Sequence, residues 1–598
     1  APLVVVRGRP EGCLTCHVAM SGLGKSHDPA TIGCASCHLG DAYASDAPRA
    51  HAGMVRVPGN LADAPRTCGQ TGCHDAIVPR VQRSIMTTFA GVIAVDREAF
   101  GEAPNHGAAG PPDITGLGHS AADTHLRQLC ASCHLGQPKT EWGPNSEATR
   151  GGGCNACHLT YDREAARQLV AYDRIGARPG MTGPTAHPSL TIAIPNDNCF
   201  GCHSRSGRIS TNYEGWMELR TDPPAAEAHR PIYRQLADGR FFVRAGADVH
   251  AEKGMDCIDC HTANETMGKG MAVARKYDQQ QVRCEDCHTR QFATVDPRGV
   301  DSETEKLLQL RGAVPAAGTR LGTTASGEPL ANVWVTGGAG ELRRKRTGQS
   351  LPLRPPVAAC DAGKGHARLS CESCHTAWTP RCASCHTSFN PQAEGFDHLR
   401  QEFGPGAWEE TAGDYAAAPP TLGIRKVGPG DAASAGVVDT FAPGMIMDLD
   451  RNRDPAKKPD VVFRRLYARV APHTTRREAR SCASCHADPV ALGYGEGELR
   501  YEVSGATGRW RFTPRHAALA DGRPADAWIG FLETRTDVAS TRPDVRPFTA
   551  DEQRRILAVG ACLTCHAGDS PVMQDALRDF AAAQARHSPR CAMPGWKR

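Results

Sequence analysis

The chain has 598 residues, 26 Cys, 25 His and a formal net charge of +4, with only 6% aromatic residues and a mean hydropathy of −0.42. That length suits about four ordinary domains, but 62 Gly, 43 Pro and so few aromatics argue against several dense hydrophobic cores. No apolar run approaches the roughly 18–20 residues of a membrane helix, and the start "APLVVVRGRP" lacks a signal-peptide design, so a soluble chain whose export signal has been removed is expected.

Residues 1–85 hold Cys13/Cys16/His17 and Cys34/Cys37/His38, two copies of Cys-x-x-Cys-His, then a stretched form, Cys68-Gly-Gln-Thr-Gly-Cys73-His74. Gly69 and Gly72 let the longer loop bulge. Residues 86–300 add Cys130/Cys133/His134, Cys154/Cys157/His158, Cys199/Cys202/His203, Cys257/Cys260/His261 and Cys284/Cys287/His288. Residues 301–360 carry no motif, and their Gly-rich turns around alternating stretches such as Ala331 to Val335 predict a small β-rich insert. Its dense basic run, "RRKR" at 343–346, reads as a solvated loop. Residues 361–400 contain a close pair, Cys371/Cys374/His375 and Cys382/Cys385/His386, separated by "TAWTPR". Residues 401–480 read as loop with short β elements. Residues 481–598 end the series with Cys482/Cys485/His486 and Cys562/Cys565/His566, the last preceded by a predicted helix capped by Thr549. The spacing has no fixed period, which excludes a solenoid.

Eleven regular motifs and one stretched motif point to covalent c-type haem. Two thiols add to the porphyrin vinyls, and the next imidazole turns back to ligate the iron. Zinc sites and redox disulfides also use Cys-x-x-Cys, but neither requires His immediately afterwards. With twelve haems the macrocycles supply much of the apolar burial. The expected fold is therefore mostly irregular loops and short helices wrapped around a haem stack, with small β elements and little regular secondary structure.

Twelve His are proximal ligands by position, leaving thirteen. Twelve distal ligands are expected from His27, His51, His119, His125, His187, His229, His250, His366, His398, His473, His516 and His587, with His106 as the spare. His125, His250, His366 and His473 each lie a few residues before a motif, where a short turn can carry the ring to a neighbouring iron. The two remaining thiols, Cys360 and Cys591, form an expected disulfide. Asp448, Asp450, Asn452 and Asp454 alternate like the first half of a calcium loop, although Arg453 stands where that loop needs Gly and Pro459 where it needs Glu. A solvated acidic turn is therefore the first reading, and calcium the second. Each ferric haem with ionised propionates adds one negative charge, bringing the loaded chain to about −8. The arginines then read as propionate partners, and no nucleic-acid surface is expected.

Twelve such motifs with a near-matching supply of extra His resemble the large multihaem c-type cytochromes of bacterial respiration, including those of porin–cytochrome conduits and extracellular filaments. The resemblance implies closely stacked bis-His haems, location in the periplasm or on the cell surface, and redox proteins, an outer-membrane porin or identical subunits as partners. Catalytic members often replace the proximal His by Lys, and no Cys-x-x-Cys-Lys occurs. An electron conduit with no catalytic residue is thus the first expectation. The alternative is an oxidoreductase of a small nitrogen or sulfur compound with one open-coordination haem. In the close pair, the short spacer makes neighbours of the two porphyrins, with Trp378 beside them and His366 reaching an iron nearby.

Overall fold

A computed structural model of the chain describes residues 5–6, 8–102, 110–175, 183–204, 210–361, 365–413, 415–426, 436–535, 540 and 542–596. His106 lies outside them. The expectation of little regular structure is overturned: 29% of the chain is helical and 23% is in strands. The reason is that the second half builds its own apolar cores instead of relying on a cofactor for burial.

The largest sheet sets Cys385–Asp397 antiparallel to Glu402–Thr411 and parallel to Val437–Asp450. Val437–Asp450 also pairs with Thr421–Arg425 and Val461–Arg469, and Val545–Arg546 closes the edge. Side chains alternate across these strands, so one face buries Phe441, Ile446 and Tyr467. There the Trp528 indole stacks on Tyr467 with ring centres 4.9 Å apart. A second core joins Leu422, Ile424, Tyr494, Trp510 and Leu557, tying the hairpin of Gly497–Ser504 and Thr507–Pro514 to the helix Ala550–Leu563. That helix starts in a reciprocal cap between Thr549 and Glu552.

Residues 294–352 form a five-stranded sheet over Leu308, Leu321 and Trp334. Its basic run is docked and not a free loop. Arg346 pairs with Asp256 at 2.9 Å, the Lys345 backbone N donates to Asp259 at 2.6 Å, and the buried Lys345 ammonium donates to the carbonyls of Ile258 and His261. Burial pushes Lys345 down to about 8. The insert is thereby locked onto the motif at 257–261.

One further expectation fails. Cys360 and Cys591 are free thiols; the C-terminal segment is held instead by strand pairing of Met593 with Thr507 and by a Tyr501 hydroxyl donating to Ala592 O at 2.7 Å. The acidic turn at 448–454 is held by its own backbone donors. Asp450 accepts from Asn452 N and Asp460 N, Asp454 from Ala456 N, and Asp448 faces His386 at 3.5 Å.

Candidate haem sites

Most motifs fold into one short helical turn: Cys13–Cys16, Ala35–His38, Cys154–His158, Asp197–His203, Cys257–Cys260, Cys284–Cys287, Cys371–His375 and Ala483–His486. A turn puts positions three and four apart on one side, so both thiols and the imidazole address the same space. Cys562 reaches that arrangement at the end of the long helix Ala550–Leu563. In the stretched motif Gly72 takes a positive φ of 78°, the bulge its longer loop requires.

The turns surround a cavity of about 2710 Å³, lined by thiols of motifs from Cys37 to Cys385. Ordinary ligand pockets hold about 300–1,000 Å³.

Six proximal imidazoles stand opposite a second imidazole. The pairs are His17–His51, His74–His27, His38–His187, His288–His250, His261–His473 and His486–His366, with ring centres 6.1 to 6.3 Å apart. Two ring nitrogens, each about 2 Å from a shared metal, require about this separation. The donor set fits haem iron. Many of these rings fix Nδ1 on a carbonyl: His38 on Val55, His187 on Pro188, His473 on Ala471, His486 on Ile556. That leaves Nε2 for the gap between the rings. Burial pushes His38, His187, His366 and His486 below the ordinary imidazole range, and His473 down to about 4. These rings are neutral, the form that ligates.

The other expected distal ligands are placed differently. His125 is buried with Nδ1 3.1 Å from Asp96 and Nε2 3.6 Å from Glu410, boxed by Phe100 and Trp408. Burial alone would lower it, but the two carboxylates outweigh that and hold it up to about 10. His119 contacts Arg400, His398 packs on Phe396, His516 faces Glu496, His587 sits on Gln584 O, and His229 is exposed. Among the described residues no imidazole stands opposite His134, His158, His203, His375, His386 or His566.

Thiols of successive motifs are neighbours. Cys13 lies beside Cys34, Cys68 beside Cys154, Cys199 beside Cys257, and Cys284 beside Cys371. Cys37 interacts electrostatically with Cys68 and Cys73, Cys157 with Cys199, Cys260 with Cys287, and Cys374 with Cys485. The His486 ring then meets Ile556 of the helix that carries Cys562. Ten motifs thus follow one line from 13–17 to 562–566. A side branch leaves it where Cys202 meets Cys133. It continues through Leu129, which packs in the same cluster as Cys385. Sequence reasoning missed this order, because the line takes motif 154–158 directly after 68–74 and leaves 130–134 aside.

The motif at 382–386 departs from the rest. Cys382 ends one strand, Cys385 begins another, and Ser384 between them has φ of 62°. Consecutive strand residues face opposite ways, so Cys385 looks into the apolar cluster and His386 outward, toward Asp448. The two thiols are 3.6 Å apart. Trp378 is buried with its indole N–H on Gly246 O at 2.9 Å, and His366 faces His486, not a ring of the close pair.

Residues 198–289 match the family described as cytochrome c554 and c-prime. The match supports, at a coarse level, a multihaem c-type cytochrome. The cytochrome segment spans the motifs at 199–203, 257–261 and 284–288, where Cys257 N donates to Asn196 Oδ1 and Asn198 Nδ2 to Cys157 O. The match supports haem c as cofactor and, at a coarse level, electron transfer. No curated protein and no solved structure matches the chain. No helix among the described residues is long and apolar enough to cross a membrane.

Proposed function

We propose that the chain is an exported dodecahaem cytochrome acting as an electron conduit, with the twelve Cys pairs and their following His as attachment sites. The observation that carries this reading is the set of six facing imidazole pairs, 6.1 to 6.3 Å apart, strung along ten motifs that follow one another as neighbours. Each bound haem supplies a one-electron Fe(III)/Fe(II) couple. The protein's part is to clamp imidazoles on two sides, keep them neutral, and hold neighbouring attachment edges in contact. Cys16 and Cys565, at the two ends of the line, are exposed, which suits entry and exit through redox partner proteins, a porin-bound partner or a second copy. Intact mass tests the haem count, with twelve expected and eleven or fewer refuting it. Electron microscopy showing single particles under all conditions removes the filament form.

A second reading is favoured by one observation. His125 is buried and lines the cavity beside Cys130 and Cys133, its Nε2 3.6 Å from the Glu410 carboxylate, with no imidazole opposite among the described residues. An imidazolium anchored by Asp96 there suits proton delivery to a small nitrogen or sulfur oxo compound reduced on the side branch. Electron paramagnetic resonance of the oxidised protein decides. A high-spin signal from the branch supports the oxidoreductase, and an entirely low-spin spectrum removes it.

A further inference from the structure

Two of the facing pairs are anchored unlike the others. In the pair His38–His187 both Nδ1 atoms meet neutral backbone carbonyls, Val55 O at 2.8 Å and Pro188 O at 2.6 Å. In the pair His250–His288, His250 Nδ1 meets the Asp248 carboxylate at 2.8 Å, while His288 keeps a carbonyl, Arg354 O at 2.9 Å. In the pair His261–His473, His261 Nδ1 meets the Glu265 carboxylate at 2.9 Å, while His473 keeps Ala471 O. One ring of each pair is therefore carboxylate-held.

Both carboxylates are built in. Asp248 is 2% exposed and Glu265 7%. Asp248 also accepts from His250 N at 2.9 Å and Thr475 N at 2.6 Å. Glu265 accepts from Val282 N at 2.5 Å, from Gln281 N and from Thr262 N. Neither side chain can swing away without leaving buried backbone donors unpaired. Thr475 lies two residues after His473, so Asp248 steadies the loop that carries the distal ring of the neighbouring pair as well.

A carbonyl offers a lone pair, whereas a buried carboxylate offers a lone pair and a poorly screened negative charge. Drawing the Nδ1 proton toward a carboxylate makes Nε2 a stronger electron donor, which favours the more positive oxidation state of a bound metal. We infer that Asp248 and Glu265 are positioning residues that make the haems at 257–261 and 284–288 an adjacent low-potential step in the middle of the line, below the haem between His38 and His187. The inference rests on the reading that these rings share haem irons. Its consequence is functional: an electron crossing the protein meets its highest point at the neighbouring motifs 257–261 and 284–288, so the step between them sets the pace of transit.

The test is a spectroelectrochemical titration of the holoprotein carrying Asp248→Asn or Glu265→Gln. Each amide keeps an acceptor oxygen and removes the charge. The expected result in each variant is an upward shift of one of the two most negative components, with the remaining titration curve unchanged. Unchanged potentials, or a uniform shift of all components, would overturn the inference. The two substitutions act at different pairs, so a variant that fails to load haem leaves the other to decide. Asp248→Glu, which retains the charge, is expected to keep the parental potential. Mass and low-spin signals for both haems, with no shift, defeat this inference alone; absence of haem at these two motifs defeats the reading beneath it.

Discussion

The line of ten motifs and the side branch use one sequence signal with opposite structural results. Along the line, Cys-x-x-Cys-His folds as a helical turn, and six of its imidazoles meet a partner across about 6 Å. On the branch, His134 bends back onto Ala131 O at 2.6 Å, His386 points outward from a strand, and His125 is locked between two carboxylates. The difference teaches that the motif specifies which residues can hold haem, while the surrounding backbone decides whether thiols and ring address one space. A helical turn does so by its periodicity; the strand's period of two turns Cys385 and His386 to opposite faces, so that motif has to rearrange to load its haem.

The largest expected effect breaks the molecule at one place or the other. Cys284→Ala with Cys287→Ala removes a station of the line, and transfer between reductant and acceptor docked at opposite ends should be lost. Cys382→Ala with Cys385→Ala should leave that transfer intact. Stopped-flow reduction of surface-attached protein compares them, and equal loss in both would erase the distinction between line and branch.

Removing the packing that supports the branch comes next. Trp528 is fully buried against Tyr467 and Phe441, behind the sheet that carries Cys385. Trp528→Ala should cost about 3–5 kcal/mol, measured by denaturant unfolding, with the absorption spectrum of line haems preserved. A smaller, local effect follows at single ligands. His473→Ala should convert one low-spin haem to high spin, whereas His125→Ala should leave the low-spin count unchanged. Paramagnetic resonance reads both, and a new high-spin signal in His125→Ala would make that ring a ligand.

Much of the site was legible because haem attachment is contiguous in sequence: five residues contain two sulfurs and a ring. The facing pairs were not, since His38 meets His187 and His261 meets His473 only after long stretches of chain fold back. A His shortly before a motif shows readiness to turn, but not the iron it turns toward; His250, His366 and His473 all face rings of other motifs, and His125 faces none. The sheets were obscured for a similar reason. "VVDTFAPGMIMDLD" is buried on both faces and lacks clean alternation, so its strand character depends on partners at 421–425 and 461–469. The docking of "RRKR" had a visible counterpart in the acidic "MDCIDC", two opposite charge runs whose contact only the fold could establish.

The smallest effect, and the sharpest contrast, is the dependence on pH. His473 is held at about 4 by burial, below its ordinary 6.5. The unfolded chain therefore binds the proton first as pH falls, and stability supplied by the neutral ring is lost between about 6.5 and 4. His125 is held at about 10, so its contribution is complete below about 6.5 and is lost as pH rises through 10. The line should weaken in acid and the branch in alkali. Hydrogen exchange at pH 5, 7 and 9.5 separates them, with protection falling first around Ala471–Thr475 in acid and around Asp96–His125 in alkali. Asp96→Asn removes the anion that holds the His125 proton and should abolish the alkaline loss while leaving the acid loss in place. If both regions respond with the same sign, His125 is neutral in the fold and belongs with the ligating rings of the line.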